Sequence, residues 1–316
     1  SRVAVSSIPD NRPALLVICG PTAVGKTALS LELAEHLDGD IVSADSRQVY
    51  RLMNIGTAKP TREAQSRARH HLIDVVWPNE EFHAARFVDQ ANAAIADIVL
   101  RNKRPFLVGG TGLYIRALTE GLLQAPSADP ELRQRLQARA EEEGTPSLHE
   151  EHARVDPESA LRLHPNDMIR IVRALEVYEQ SGSSISTLQD EHGFGGQPYR
   201  TIKVCLNMDR AVLYERINQR AELMFEQGLL EESEALLQAG YDITLKSLRT
   251  IGYRQAFSYL RKESTWDEAL EDLKRSTRRY AKQQLTWFRK DKSMIWLESS
   301  DDFVTIRKLI EKFYGI

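Results

Sequence analysis

Short apolar runs alternate with helical patterns in the first third of the chain. Residues 14–19 form an apolar run that stops at Gly20, and residues 28–34 then space their leucines and alanines as in a helix. Residues 82–100 carry a second helical stripe of apolar side chains. Further strand patterns occur at 40–44, 70–76 and 104–109. Strands that alternate with helices predict an α/β domain built on a parallel sheet.

The pattern changes between residues 125 and 199, where charged helical segments replace the short β-branched runs. Helices are expected in this segment at 130–143, 146–153 and 167–181. A strand pattern returns at 201–208, followed by helical stretches at 213–237 and 278–290, a strand at 293–297 and a terminal helix. We therefore expect a core made of residues 1–124 and 200–316 that carries a helical insertion domain, residues 125–199.

The turn after the first strand has the composition of a phosphate loop. Gly20, Gly25, Lys26 and Thr27 fit the spacing Gly, any four residues, Gly-Lys-Ser/Thr. The backbone N–H groups of such a loop, and of the helix that follows it, surround a polyphosphate. Lys26 would then contact phosphate oxygens and Thr27 would ligate Mg²⁺. The predicted fold is an α/β, P-loop NTPase-like core with a parallel sheet flanked by helices. The alternative interpretation of the loop itself is a structural glycine turn that binds no phosphate.

Polar side chains also follow two other predicted strands. Asp45 lies at the end of the strand after the first helix, at the sheet edge that binds ligands, and is a candidate for acid–base chemistry. It could instead cap a helix or hold Mg²⁺ through water. Thr111, in the glycine turn 109–112, would offer a hydroxyl and an N–H group to a ligand, or would simply cap the next helix. Lys59, in a polar loop, would face either a phosphate or solvent.

Charge and composition narrow the classes of function. The chain has 316 residues, a net charge of −3 and two cysteines, Cys19 and Cys205, both within apolar strand patterns. No apolar run reaches the roughly 18 residues that a membrane span needs, and the N-terminal residues lack the apolar core of a signal peptide. We expect a cytoplasmic protein with buried thiols and no membrane association. The net charge argues against a protein that coats nucleic acid through bulk charge.

A local basic surface is nevertheless predicted in the last third of the chain. Residues 274–292 hold eight lysines and arginines and a single acid, Asp291. The aromatic residues Trp287 and Phe288 interrupt this segment, and arginines beside aromatic side chains are typical of proteins that bind RNA loops. The alternative is a solvated basic face whose two aromatic residues belong to the core.

Seven short segments, in order along nearly the whole chain, carry a family resemblance. They are 20–27 (GPTAVGKT), 43–50 (SADSRQVY), 56–60 (GTAKP), 108–114 (VGGTGLY), 164–167 (HPND), 251–255 (IGYRQ) and 284–289 (QLTWFR). Together they resemble the bacterial tRNA dimethylallyltransferase family. The resemblance implies transfer of a dimethylallyl group from dimethylallyl diphosphate to the exocyclic amine (N6) of the adenosine 3′-adjacent to the anticodon, with release of diphosphate.

The resemblance also implies which residues perform this reaction. Asp45 corresponds to the general base, and Thr111 and Arg220 would stabilise the leaving diphosphate, with Arg216 as the second choice for the arginine. Mg²⁺ bound at Thr27 is the implied cofactor. The residues implied to bind the donor diphosphate are Gly20, Thr22, Ala23, Val24, Gly25, Lys26 and Thr27.

The implied partners are dimethylallyl diphosphate and the anticodon stem-loop of a tRNA, and we expect a monomer. The residues implied to contact the tRNA are Asp45, Ser46, Arg47, Gln48, Ile169, Arg170, Arg173, Arg249, Gly252, Tyr253, Arg254, Lys282 and Arg289.

Three other functions compete with this interpretation. An adenylate isopentenyltransferase would prenylate a free nucleotide on the same core, but the basic segments and the helical insertion favour RNA. A P-loop small-molecule kinase would fill the loop with ATP and use Asp45 to deprotonate a hydroxyl. The strand that ends at Val108 is followed by glycines where a Walker-B carboxylate would be expected, which argues against the kinase. A non-catalytic RNA-binding module would leave the phosphate loop unexplained.

Overall fold

The computed structural model describes residues 10–120, 129–182, 184 and 197–316, and its centre is a six-stranded sheet. All neighbouring strands pair in parallel, in the order β3-β2-β4-β1-β5-β6. The strands are β1 (Ala14–Cys19), β2 (Gly39–Ser43), β3 (His70–His71), β4 (Arg104–Gly109), β5 (Arg200–Asn207) and β6 (Ile295–Glu298). The predicted α/β fold with a parallel sheet is confirmed.

Helices lie on both faces of this sheet and in a separate group beside it. In the first part of the chain they are α1 (Lys26–Leu37), α2 (Arg62–Arg67), α3 (Ala84–Leu100) and α4 (Gly112–Glu120). In the middle they are α5 (Pro130–Glu143), α6 (Thr145–Val155), α7 (Pro157–Leu161) and α8 (Met168–Ser181). After β5 they are α9 (Arg210–Gln227), α10 (Leu229–Gln238), α11 (Tyr253–Leu260), α12 (Trp266–Arg289) and α13 (Phe303–Tyr314), with a short 3₁₀ helix at Lys246–Arg249.

Three elements differ from the sequence prediction. The strand expected at 70–76 is only two residues long, because Leu72 and Asp74 adopt positive φ angles of 67° and 57° that interrupt extended backbone. The helix expected at 213–237 is two helices, because Gly228 ends α9 with a φ of 110°. The basic helix begins at Trp266 rather than near 278. Thr265 and Glu268 form a capping box that starts the helix at Trp266.

The central strand β1 divides the core into two layers. Leu15 and Val17 belong to the apolar cluster on one face of the sheet, whereas Leu16 and Ile18 belong to the cluster on the other face. This alternation follows from the two-residue period of a strand. Because both faces are covered, β1 is apolar throughout. Cys19 and Cys205 are buried free thiols, as predicted.

Helices α5, α6 and α8 pack around a third apolar cluster of their own. Buried Glu176, on α8, forms ion pairs with Arg133 Nη2 at 2.9 Å and with Arg173. The start of the predicted insertion, residue 125, lies outside the described residues. The members of the cluster are Leu132, Leu136, Ala140, Leu148, Ile171, Val172 and Leu175.

No helix within the described ranges is both long enough and apolar enough to cross a membrane.

The C-terminal end of α8 packs against the start of α3. Gly182 has a φ of 75°, and a Cβ atom at this position would lie 1.8 Å from Cβ of His83. The His83 ring lies 5.8 Å, centroid to centroid, from the ring of Tyr178. Burial, together with the nearby Lys246 cation, lowers the pKa of His83 to about 4. The contact between the helical segment and the core therefore contains a neutral histidine.

We predict that His83 makes the fold sensitive to acid. The unfolded chain takes up a proton on this side chain near its usual pKa of 6.5, whereas the folded chain resists protonation down to about pH 4. The free energy of unfolding therefore falls as the pH decreases through this window. Urea unfolding measures the free energy of unfolding of the wild type and of His83→Gln. As the pH decreases from about 7 to about 4, this free energy should fall more in the wild type than in the variant. A difference that does not change with pH would contradict this assignment.

Candidate active site

The phosphate loop joins β1 to α1, and its lysine forms hydrogen bonds to the carbonyl oxygens of the loop. Gly20 and Gly25 have φ angles of 153° and 106°, conformations that favour glycine. Lys26 Nζ donates hydrogen bonds to the carbonyl oxygens of Gly20 and Pro21, both at 2.8 Å. Burial lowers the pKa of Lys26 to about 8, and the nearby Asp45 carboxylate acts in the opposite direction. The loop thus presents a partly desolvated cation beside its backbone N–H groups.

Gln284, on α12, connects the phosphate loop to the second glycine turn. Its side-chain oxygen accepts a hydrogen bond from Thr22 N at 2.9 Å, and its Nε2 donates to Gly110 O at 3.0 Å. Sequence reasoning placed Gln284 in a family segment but gave it no role. The family segment was the only sequence feature that pointed to Gln284. Its hydrogen-bond partners are 262 and 174 residues away in the sequence, so no local pattern could identify them.

The glycines of the turn 109–112 make room for other parts of this chain. A Cβ atom at Gly109 would lie 2.2 Å from Ala44 O, and one at Gly112 would lie 2.1 Å from Cδ1 of Trp287. Thr111 N donates to Ala44 O at 3.1 Å, and Thr111 Oγ1 accepts from Ser46 N at 3.0 Å. The Thr111 hydroxyl is therefore directed to the turn that follows β2 and does not cap its own helix at that oxygen.

Asp45 begins that turn. One carboxylate oxygen, Oδ1, accepts hydrogen bonds from Arg47 N at 2.8 Å and Gln48 N at 3.1 Å. It therefore caps a turn over 46–49 rather than the helix considered as an alternative. Among the described residues, none donates a hydrogen bond to its second oxygen, Oδ2. Asp45 lines a cavity together with Lys26 and Thr27 at the carboxyl edge of the sheet, so its carboxylate lies next to the phosphate loop.

Arg220 lies on α9 at a second cavity beside the loop. Its polar wall is formed by Thr22, Arg47, Arg220 and Thr277, and its apolar wall includes Ile217, Met224, Ile251 and Leu273. Burial, reinforced by the cations of Arg216 and Arg47, lowers the pKa of Arg220. Arg216 is exposed and is not among the residues described as lining this cavity. The geometry therefore favours Arg220 over Arg216 as an arginine that contacts a bound anion.

The residues expected to contact RNA fall into two groups. The exposed side chains are Ile169, Arg170, Arg249, Arg254, Lys282 and Arg289. The others are at least half-buried, and several of them form hydrogen bonds or ion pairs within the protein. Arg47 Nη1 donates to Ile251 O at 3.2 Å, and Gln48 Nε2 donates to Thr57 O at 3.1 Å. Arg173 pairs with Glu176, an alternative that its spacing on the helix already allowed.

Tyr253, Gly252 and the side chain of Lys59 lie inside the fold. The Tyr253 side chain is fully buried, and its hydroxyl donates to Glu232, so that in this conformation it presents no surface to an RNA; Gly252 is buried beside it. Lys59 is also buried and forms an ion pair with Asp74, so it faces neither a phosphate nor solvent. The two aromatic residues of the basic helix pack into the protein, as the alternative interpretation expected, since Phe288 is buried and Trp287 packs over Gly112.

We predict that Lys26 makes anion binding depend on pH. Only the protonated amine attracts phosphate, and the lowered pKa means that it loses its proton near pH 8. The affinity for inorganic diphosphate, relative to that of Lys26→Met, should therefore fall between about pH 7 and about pH 9.5. Isothermal titration calorimetry of both proteins across this range measures the ratio and removes the effect of titration of the diphosphate. A constant ratio would show that Lys26 does not titrate in this window.

Comparisons with known proteins identify the family of the chain. The family model described as IPP transferase matches residues 48–291. A protein named tRNA dimethylallyltransferase 2, from Geotalea uraniireducens, is 51% identical over 306 residues, which cover 97% of this chain and 99% of that protein. A tRNA dimethylallyltransferase from Geobacter metallireducens is 49% identical, covering 96% of this chain and 99% of its own length.

Solved structures give the same result. The full-length tRNA isopentenylpyrophosphate transferase from Bacillus halodurans matches with a TM-score of 0.70 at 41% identity, over 96% of both chains. A eukaryotic dimethylallyltransferase acting on tRNA matches with a TM-score of 0.68 at 28% identity, over 92% of this chain and 74% of that one. The chain therefore belongs to the IPP transferase family.

Proposed function

We propose that this chain transfers a dimethylallyl group from dimethylallyl diphosphate to N6 of the adenosine 3′-adjacent to the anticodon of a tRNA, and releases diphosphate. The observation that carries this proposal is that Asp45 lines the same cavity as Lys26 and Thr27, while its Oδ2 accepts no hydrogen bond from the residues that the structure describes. A proton acceptor next to a diphosphate site is what transfer of an allylic group to an amine requires. Membership of the IPP transferase family supports the class of reaction.

The phosphate loop would hold the donor diphosphate. Its backbone N–H groups, at the start of α1, and the Lys26 ammonium would bind the phosphate oxygens. The full set proposed to bind the donor consists of Gly20, Thr22, Ala23, Val24, Gly25, Lys26 and Thr27.

The residues at the loop fit a Mg²⁺ ion that is bound mainly through the substrate. Thr27 is exposed and lines the same cavity as Asp45, and Mg²⁺ commonly takes one or two protein oxygens together with phosphate oxygens and water. No cluster of three or more His, Cys, Asp or Glu side chains suited to a metal occurs in the part of the chain that the structure describes. When bound, Mg²⁺ would neutralise charge on the diphosphate; Thr27 would be its protein ligand.

The chain's own groups account for the remaining chemistry. Asp45 Oδ2 would accept the proton of the adenosine amine as nitrogen bonds to the allylic carbon and the carbon–oxygen bond breaks. The leaving diphosphate would be stabilised by the loop amides, Lys26 and Arg220, and by the Thr111 hydroxyl. Thr111 would also keep Asp45 in place, because its oxygen accepts the N–H of the adjacent Ser46.

The tRNA would bind over the exposed basic residues. A target adenosine must leave its stack to reach the cavity of Asp45, at a cost of a few kcal/mol that contacts to the RNA backbone must offset. Arg249 and Arg254 follow β5 in the chain, Lys282 and Arg289 lie on α12, and Ile169 and Arg170 begin α8. We propose that residues 125–199 form a helical insertion that covers the far side of the anticodon loop, while Ser46, Arg47, Gln48 and Asp45 approach the flipped base.

Transfer of radiolabel tests this function. The protein is incubated with Mg²⁺ and dimethylallyl diphosphate labelled in the prenyl group, with unmodified tRNA, AMP and ADP as competing acceptors. Label in tRNA is the expected result. Label only in the nucleotides would identify an adenylate isopentenyltransferase, and the absence of transfer to any acceptor would contradict the proposal.

We predict that Asp45→Asn lowers turnover by about 10²- to 10⁴-fold, the usual contribution of a general base. The asparagine oxygen can still accept the N–H groups of Arg47 and Gln48, so the turn and the affinity for tRNA should be preserved. Asp209→Asn is a matched control, because Asp209 accepts two backbone N–H groups at the start of α9. Turnover of Asp45→Asn equal to that of this control would remove Asp45 from the role of base.

A further inference from the structure

Glu232 forms an unusual set of contacts with the loop that follows Met53. Its carboxylate accepts hydrogen bonds from three successive backbone N–H groups: Asn54 N at 3.1 Å, Ile55 N at 3.0 Å and Gly56 N at 3.3 Å. Successive N–H groups that converge in this way form an anion-binding nest. Here the anion is a side chain of the protein, 176 to 178 residues away in the sequence.

Tyr253 completes this arrangement from the other side. Its hydroxyl donates to Glu232 Oε1, and its ring packs so closely on the loop that a Cβ atom at Gly56 would lie 2.5 Å from Cζ of the tyrosine. Burial raises the pKa of Tyr253, and the Glu232 charge adds to that rise, so the hydroxyl stays protonated and can donate. The loop 54–56 is therefore fixed between a buried ring and a carboxylate.

The two residues that follow the loop 54–56 contact the turn that carries Asp45. The carbonyl oxygens of Thr57 and Ala58 accept hydrogen bonds from Gln48 Nε2 at 3.1 and 3.2 Å. Gln48 N in turn donates to Asp45 Oδ1. A displacement of the loop would therefore move the residue that holds the candidate base.

The loop also forms part of the cavity between the two arginines. Gly56 and Ala58 line this cavity together with Arg47 and Arg220. Glu232 lies on α10, which starts directly after Gly228, the residue that ends the Arg220 helix. The contacts of Glu232 thus connect the wall of the cavity to the helix hairpin that carries its arginine.

We propose that Glu232 is a positioning residue for the transfer reaction, which sets the geometry of Asp45, through Gln48, by holding the loop 54–56. This inference rests on the proposed function. It predicts that Glu232 affects the geometry of the reacting groups and leaves the phosphate loop unchanged. The loop at Lys26 and Thr22 is held by its own carbonyls and by Gln284, and Glu232 has no part in those bonds.

The test compares Glu232→Gln with Glu231→Gln, its exposed neighbour on the same helix. A glutamine keeps the size of the side chain and one acceptor oxygen, but it removes the negative charge from the nest and puts an NH₂ donor in place of Oε2, which accepts from Ile55 N. We expect kcat to fall by about 10- to 100-fold in Glu232→Gln, the size of effect that a displacement near 1 Å produces. The affinity for inorganic diphosphate should stay within about two-fold of the wild type. Tyr253→Phe keeps the ring and removes one donor, and should lower kcat in the same direction by less.

Hydrogen–deuterium exchange gives a readout that needs no substrate. The amides of residues 54–56 should exchange faster in Glu232→Gln, with no change at the phosphate loop and none in Glu231→Gln. Unchanged exchange at 54–56, a kcat within two-fold of the wild type, or a parallel loss of kcat and diphosphate binding that follows the folded fraction would each overturn the proposal. If the wild type itself transfers no label to tRNA, the proposed function fails, and the exchange data still decide whether Glu232 holds this loop.

Discussion

The carboxamide of Gln284 joins the two turns on which the candidate site is built. Parallel pairing of β1 with β4, and of β4 with β2, brings the ends of these strands to one edge of the sheet. The strand pairing ends at the sheet edge, so the spacing of the turns that follow depends on contacts outside the sheet, and the bonds of Gln284 are among these contacts. Gln284 binds Thr22 N and Gly110 O and is itself buried, and an unpaired amide in such a place costs about 1–3 kcal/mol. The helix α12 thereby fixes the distance between the phosphate loop and Thr111.

The charges at this edge are arranged for an anionic ligand. Lys26, Arg47 and Arg220 line the two cavities, whereas Asp45 is the carboxylate that lines the cavity at the loop. Burial lowers the pKa values of Lys26 and Arg220, which means that the site is partly desolvated and that a negative charge placed there would be attracted strongly. The proposed prenyl diphosphate donor would supply that charge, and its leaving group would gain more negative charge as the bond breaks.

Local patterns predicted the sheet, the phosphate loop and the position of Asp45, because each depends on residues that are close in sequence. The contacts that arrange the site are not local. Glu232 has the properties of an ordinary acid in the first turn of a helix, where the helix dipole favours negative charge, and nothing near it in the sequence indicates its partners at 54–56. Arg216 and Arg220 are one turn apart, so only the docking of α9 distinguishes them. The family resemblance implies that Tyr253 contacts tRNA, and the polar loop left Lys59 facing a phosphate or solvent, but tertiary packing buries both side chains.

The central claim is that the phosphate loop holds a leaving diphosphate rather than a nucleotide that donates a phosphoryl group. The most direct test uses dimethylallyl diphosphate labelled with tritium on the allylic carbon and with ³²P in the terminal phosphate, incubated with the protein, Mg²⁺ and unmodified tRNA. Cleavage of the carbon–oxygen bond predicts tritium in the tRNA and ³²P released as intact inorganic diphosphate, in equal amounts. Recovery of ³²P in the tRNA or as orthophosphate would contradict this account, because it would mean that a bond to phosphorus breaks at the loop.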